Sequence, residues 1–206
     1  KANGLLITFY FAYYFLLRKE TFFNKNRWFL LSGLLISVLL PLITFTKIVW
    51  ITPNPVQILE PNFTETLPNI ILAPVEEPLN WNLILMYVYF AVSCILLLKI
   101  GAEIASFFKI IRLGFKEKGK KSILVNHPKA ENPFSFFNYI VVNRNHFNDE
   151  ELHHIITHEN IHVTENHSVD VLISKLFCAL FWINPMVWFY RKQMLQNLEF
   201  IADNNA

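Results

Sequence analysis

The sequence predicts a mostly α membrane protein, with three N-terminal transmembrane helices followed by an α+β domain that holds a small sheet and a helix carrying H-E-x-x-H. Three observations predict it. Uncharged, apolar runs cover residues 2–17, 28–46 and 78–98, each near the length of a membrane span. Beyond Lys121 the pattern changes to short β-branched and aromatic runs bounded by turn residues, which read as strands. A helix start signal at Asn148 then precedes His158-Glu159-Asn160-Ile161-His162. Composition agrees: 53% hydrophobic residues, 20 phenylalanines and a mean hydropathy of +0.33 are high for a soluble domain.

The first run, Ala2–Leu17, is slightly short for a span. Lys1 is not a methionine, and the expectation is a natural N-terminus trimmed from a longer first helix. The charges follow this run, and no small-residue cleavage site appears, so it does not read as a signal peptide. The second run lies between Arg27 and Lys47, with Pro41 near its far end, and the third between Glu77 and Lys99.

The flanks orient these spans. Arg18, Lys19, Lys25 and Arg27 stand against Glu20, whereas Lys47 alone stands against Glu60, Glu65, Glu76 and Glu77. Residues 99–121 hold seven basic residues against Glu103 and Glu117. Positive-inside places the N-terminus outside, the Pro-rich loop 47–77 outside, and everything after Leu98 in the cytosol. The loop reads as a solvated linker, with a binding surface as the alternative. The expected division is a membrane domain over 1–100 and a peptidase-like domain over 101–206, incomplete at its C-terminus.

The third span should continue as a helix toward Arg112, ended by Gly114 and Gly119. Ser122–Asn126 and Phe136–Val142 form the small sheet just before the H-E-x-x-H helix. Either a substrate strand adds to that sheet's edge, or the sheet is a packing hairpin. Asn148 with Glu151 three residues on makes a capping box, and the helix should run through Thr164 and Glu165. Next comes an uncharged run, Leu176–Tyr190. Its 15 residues reach only about 22 Å as a helix, too short for a ~30 Å hydrocarbon layer. Residues 169–190 are therefore expected to form a helix broken near Asn184-Pro185, with both ends on one side of the membrane.

The chemistry follows from spacing. His158 and His162 are four apart and share one helix face. Two imidazoles so placed can hold one zinc ion, with Glu159 beside them as a general base. A catalytic zinc needs a third protein ligand. Glu199-Phe200-Ile201-Ala202-Asp203 supplies one in Glu199, with Asp203 able to hydrogen-bond a ligating histidine. His154 lies in line with His158 and His162, but three histidines along one straight helix cannot converge on one ion, so His154 reads as a polar neighbour. Tyr139 and Tyr190 are the nearest candidates by sequence for a further oxyanion contact. Cys94 and Cys178 sit in apolar runs and read as small buried hydrophobes, without a disulfide framework or a Cys-based metal site. A net charge of +2 gives no case for nucleic-acid binding, and the absence of ionisable residues inside the three runs argues against a transporter.

These residues carry a resemblance. His158–His162, Phe181-Trp182-Ile183-Asn184-Pro185-Met186-Val187-Trp188 and Glu199–Asp203 resemble the membrane metallopeptidases of the BlaR/MecR sensor-transducers. Asn132-Pro133-Phe134-Ser135-Phe136-Phe137 and Arg18-Lys19-Glu20-Thr21-Phe22-Phe23 are similar to that family too. The resemblance covers nearly the whole chain. It implies a gluzincin-type, zincin-like peptidase with one zinc, at the cytoplasmic membrane of a bacterium and with its catalytic part in the cytosol. The implied partners are the lipid bilayer and a cytosolic protein such as a transcriptional repressor, with self-cleavage and a homodimer also compatible. His167 and Asp170 match family positions. Each reads either as a structural hydrogen-bonding residue or as a contact that orients a zinc ligand. The chain stops at Ala206, so the expectation is that a sensor domain lies beyond it. The competing reading is a non-catalytic membrane signalling scaffold with a structural or vestigial zinc site; an intact Glu159 speaks against it.

Overall fold

The computed structural model describes residues 1–44, 46, 48, 79–119, 121–128 and 130–206. The Pro-rich loop 47–77 lies almost wholly outside the described residues. Helix α1 (Ala2–Ala12) widens into a π-helical turn over Tyr13–Leu17, and α2 (Phe23–Leu39) ends in a short 3₁₀ turn over Leu40–Leu42. Helix α3 (Trp81–Leu113) is the longest element. Strands β1 (Phe115–Lys118), β2 (Ile123–Asn126), β3 (Phe134–Phe136) and β4 (Tyr139–Val142) follow, then α4 (Asp149–Thr164), α5 (His167–Leu180) and α6 (Pro185–Asn205). The chain is mostly helical with one small mixed sheet.

Among the described residues two helices, not three, are long and apolar enough to cross a membrane, Phe23–Leu42 and Trp81–Leu113. Ala2–Leu17 is a shorter apolar helix. Its 16 residues extend only about 24 Å, less than the ~30 Å hydrocarbon layer. It packs on its neighbours, with Leu6 fully buried and Tyr10 and Tyr13 nearly so. Helix α3 differs in kind: only 6% of its most apolar window is buried. Leu85, Tyr87, Phe90, Ile95 and Leu98 point outward around it, a contiguous apolar surface that water does not favour.

The sheet order is β1-β2-β4-β3, with β2 and β4 parallel and both outer pairs antiparallel. β1 and β3 exceed the sequence expectation: Gly114 ends α3 as anticipated, but the chain turns directly into a strand. Phe137 bridges β3 and β4 at φ 48°, a conformation that costs a bulky residue about 1–3 kcal/mol. Its N–H is held by Ser168 Oγ at 2.8 Å.

The principal core joins α1, α2, α5 and α6 through Leu6, Leu30, Leu34, Phe177, Tyr190, Met194, Leu198 and Ile201. A smaller core packs Phe107 and Ile111 of α3 on Val125 and Val141 of the sheet. The N-terminal helices and the C-terminal helices thus share one interior. The expected break falls where Asn184-Pro185 put it. Helix α5 stops at Leu180, and Asn184 caps α6 by accepting from the Met186 N–H at 3.0 Å. The two helices form a hairpin whose tip meets α3, where the Tyr89 hydroxyl donates to the Leu180 carbonyl and the Tyr89 and Trp182 rings stack at 6.2 Å.

Candidate metal centre

Helix α4 begins at the capping box. The Glu151 N–H donates to Asn148 Oδ1 at 2.8 Å, and the Asn148 N–H donates to Glu151 Oε2 at 3.1 Å. From that fixed start the 3.6-residue period places His158 and His162 on one face, their rings 5.0 Å apart. Helix α6 crosses this face and brings Glu199. The result is a compact triangle: His158 Nε2 to His162 Nε2 is 3.1 Å, His158 Nε2 to Glu199 Oε2 is 3.5 Å, and His162 Nε2 to Glu199 Oε2 is 3.7 Å. Among the described residues these three form a group able to hold a metal ion. Ligands at about 2.0–2.1 Å around a tetrahedral zinc stand about 3.3 Å from one another, and the three separations bracket that length. The donor set fits zinc.

Each histidine is also engaged at its other nitrogen. His158 Nδ1 lies 3.1 Å from Asp203 Oδ1, one turn beyond Glu199 on α6. His162 Nδ1 lies 2.8 Å from His167 Nδ1. For either imidazole to ligate through Nε2 its proton must sit on Nδ1, and Asp203 and His167 are the acceptors that hold it there. Burial, then the neighbouring His162 and Arg27, push the His167 imidazole down to about 3, so it is neutral and free to accept. The His162 imidazole beside Glu199, with His158 behind it, holds the Glu199 carboxyl below the usual carboxylate range despite part burial.

Asp170 does not join this arrangement. Its Oδ2 accepts from Arg27 Nε at 2.6 Å, tying α5 to α2. Of the two sequence alternatives, His167 touches a candidate ligand and Asp170 makes a structural ion pair. Tyr139 and Tyr190 both lie away from the triangle. Tyr190 is 1% exposed and donates to the Leu30 carbonyl at 2.7 Å, and the Tyr139 ring packs against Phe107. His154 lies beside His158, Glu159 and Asp203 at a neighbouring hollow, as a polar neighbour would.

The triangle opens into a cavity of about 370 Å³ shared by Glu159, His167, Ser168, Val171 and the β3 residues Phe134, Ser135 and Phe136. Strand β3 is an outer strand of the sheet, so one row of its backbone groups faces away from β4. Sequence reasoning missed Ser168 and this strand. A three-residue strand has too few positions to show a period, and nothing local marks Ser168 as the partner of a turn thirty residues upstream.

The family model described as BlaR1 peptidase M56 matches residues 6–206. The chain belongs to that family. The BlaR1-type peptidases are membrane-associated metallopeptidases that generally depend on zinc. The triangle of His158, His162 and Glu199 and the two apolar helices accord with such a kind. No curated protein matches the chain.

Proposed function

We propose that this chain is a membrane-embedded zinc metalloendopeptidase, hydrolysing peptide bonds in a cytosolic regulator such as a transcriptional repressor, or in itself. The observation that carries the reading is the triangle of His158, His162 and Glu199, whose separations of 3.1, 3.5 and 3.7 Å suit one tetrahedral zinc with a fourth position left for water. Zinc held by these residues would supply Lewis acidity to a water and to the scissile carbonyl. Glu159 lines the same cavity and serves as general base: it takes a proton from the attacking water and delivers it to the leaving amine. Asp203 and His167 keep both imidazoles in the ligating tautomer. The β3 edge, Phe134–Phe136, offers backbone groups along which an extended substrate adds as a strand. The basic flanks of residues 18–27 and 99–121 support a cytosolic position for this cavity and an outside N-terminus.

The test is metal analysis of the purified protein combined with mass-spectrometric detection of cleavage in a diverse peptide mixture. We expect about one zinc per chain, and a Glu159→Gln variant that keeps the metal but loses cleavage. Bound metal with cleavage that survives in Glu159→Gln would remove the mechanism. Bound metal without any cleavage by the wild type would favour a signalling scaffold with a structural zinc.

A further inference from the structure

We propose that a second cavity, between α3, α5 and α6, binds the phosphate headgroup of an anionic phospholipid. The cavity is about 220 Å³ and is walled by Lys99, Glu103, Lys175 and Arg191 over an apolar floor that includes Leu96 and Trp188. Three cations therefore surround one carboxylate, and that carboxylate is already engaged, since Lys175 Nζ donates to Glu103. Lys99 and Arg191 lie within electrostatic reach of Glu103, yet neither makes an ion pair or a hydrogen bond among the described residues. Arg191 Nε is buried without a hydrogen-bond partner. An unpartnered guanidinium N–H beside a pocket lined by three cations and one carboxylate is a group that a charge-assisted bond to an anion would satisfy.

The position of the cavity says which anion. Lys99 is the first charge after the uncharged run 78–98 of α3, and Lys175 and Arg191 bound the uncharged run 176–190 of the α5–α6 hairpin. All three meet at one level. Beyond that level the hairpin descends about 10 Å to its tip at Trp182, where it packs on Tyr89 of α3. The tip exposes Leu180, Ile183 and Phe189, as hydrocarbon contact requires. The cations thus ring the plane where apolar surface gives way to charge, which is where lipid phosphates lie, and Trp188 sits at the depth tryptophan favours. A guanidinium matches a phosphate's paired oxygens, and Lys99 adds a point charge. The lipid's acyl chains would run down the exposed flank of α3.

Native mass spectrometry of the detergent-purified protein tests this, with phosphatidylglycerol, phosphatidylcholine or inorganic phosphate added separately. Wild type should retain one phosphatidylglycerol at least about tenfold more tightly than phosphatidylcholine, the loss expected when charge-assisted contacts have no anion to grip. Lys99→Gln combined with Arg191→Gln should abolish the preference, while Lys192→Gln, an exposed change outside the cavity, should leave it intact. Unchanged zinc content and elution volume show that the double variant is folded. Equal retention of the two lipids by wild type overturns the proposal without any variant. If inorganic phosphate occupies the site as tightly as the lipid, the occupant is a soluble anion and the lipid assignment falls. None of these outcomes depends on peptidase activity.

Discussion

His167 and His162 face each other nitrogen to nitrogen, their Nδ1 atoms 2.8 Å apart, with His167 only 2% exposed. One proton lies between them, and ligation through His162 Nε2 requires that His162 hold it. His167→Ala should therefore lower zinc affinity about 10–100-fold without removing a ligand. Competition against a chromophoric chelator measures this; an unchanged affinity would make His167 a packing residue only.

The same buried imidazole gives a pH dependence whose sign is fixed. Its folded value of about 3 lies below the ordinary histidine value of about 6.5. Between these values the unfolded chain binds a proton that the folded chain refuses. The stabilisation is thus fully present above about pH 6.5 and is lost as pH falls toward about 3, with a slope of at most about 1.4 kcal/mol per pH unit. Thermal unfolding of metal-free protein from about pH 7 to about pH 4 should show a shallower loss in His167→Gln than in wild type. Identical slopes would contradict the assignment.

Arg27 anchors α2 to the start of α5. Besides Asp170 it donates to the Glu165 carbonyl at 2.7 Å and to Glu165 Oε2 at 3.2 Å. Burial raises the Asp170 carboxyl even with Arg27 beside it, so the pair holds a carboxylate that its surroundings disfavour. Removing one partner alone, as in Arg27→Ala, should cost about 3–5 kcal/mol. Arg27→Met with Asp170→Leu should cost clearly less, as read by thermal unfolding in detergent. Equal losses would mean that the pair is not coupled.

Gly33 is where α2 admits Tyr190. A Cβ there would stand 2.5 Å from Tyr190 Oη and 3.1 Å from Phe9 Cγ. Gly33→Ala should destabilise by about 1–3 kcal/mol and drive the hydroxyl off the Leu30 carbonyl. Tyr190→Phe in the same chain should recover part of the loss, because it removes the clashing oxygen. A double variant less stable than Gly33→Ala alone would refute this packing account.

If the hairpin of α5 and α6 turns back within the membrane, single cysteines at Lys118, Thr164 and Gln196, in a chain lacking Cys94, share one side. All three should be shielded from an impermeant thiol reagent added outside intact cells, the orientation that the basic flanks imply. Labelling at Lys118 from outside would invert the orientation, and opposite behaviour at Thr164 and Gln196 would break the hairpin path.

Local spacing was enough for much of the site. The capping box at Asn148 and Glu151 sets the register of α4, and a four-residue step on a helix leaves His158 and His162 little choice but to face together. Gly114 ends α3 and Asn184-Pro185 divides α5 from α6, because those residues act on their own backbone. The E-x-x-x-D step likewise puts Glu199 and Asp203 on one face. What spacing cannot specify is which face meets which. Glu199 reaches His162 because Met194, Leu198 and Ile201 of α6 share one core with Ile161 of α4 and with Leu30 of α2. His167 and Asp170, three residues apart, part company because one turns toward α4 and the other toward Arg27 of α2, a helix far away along the chain. The first apolar run reads as a span by composition; its helix is shorter than the other two, and only the tertiary structure shows that it packs against α2 and α6. The cations at Lys99, Lys175 and Arg191 look in sequence like three separate flanks, and only the return of the hairpin gathers them into one cavity.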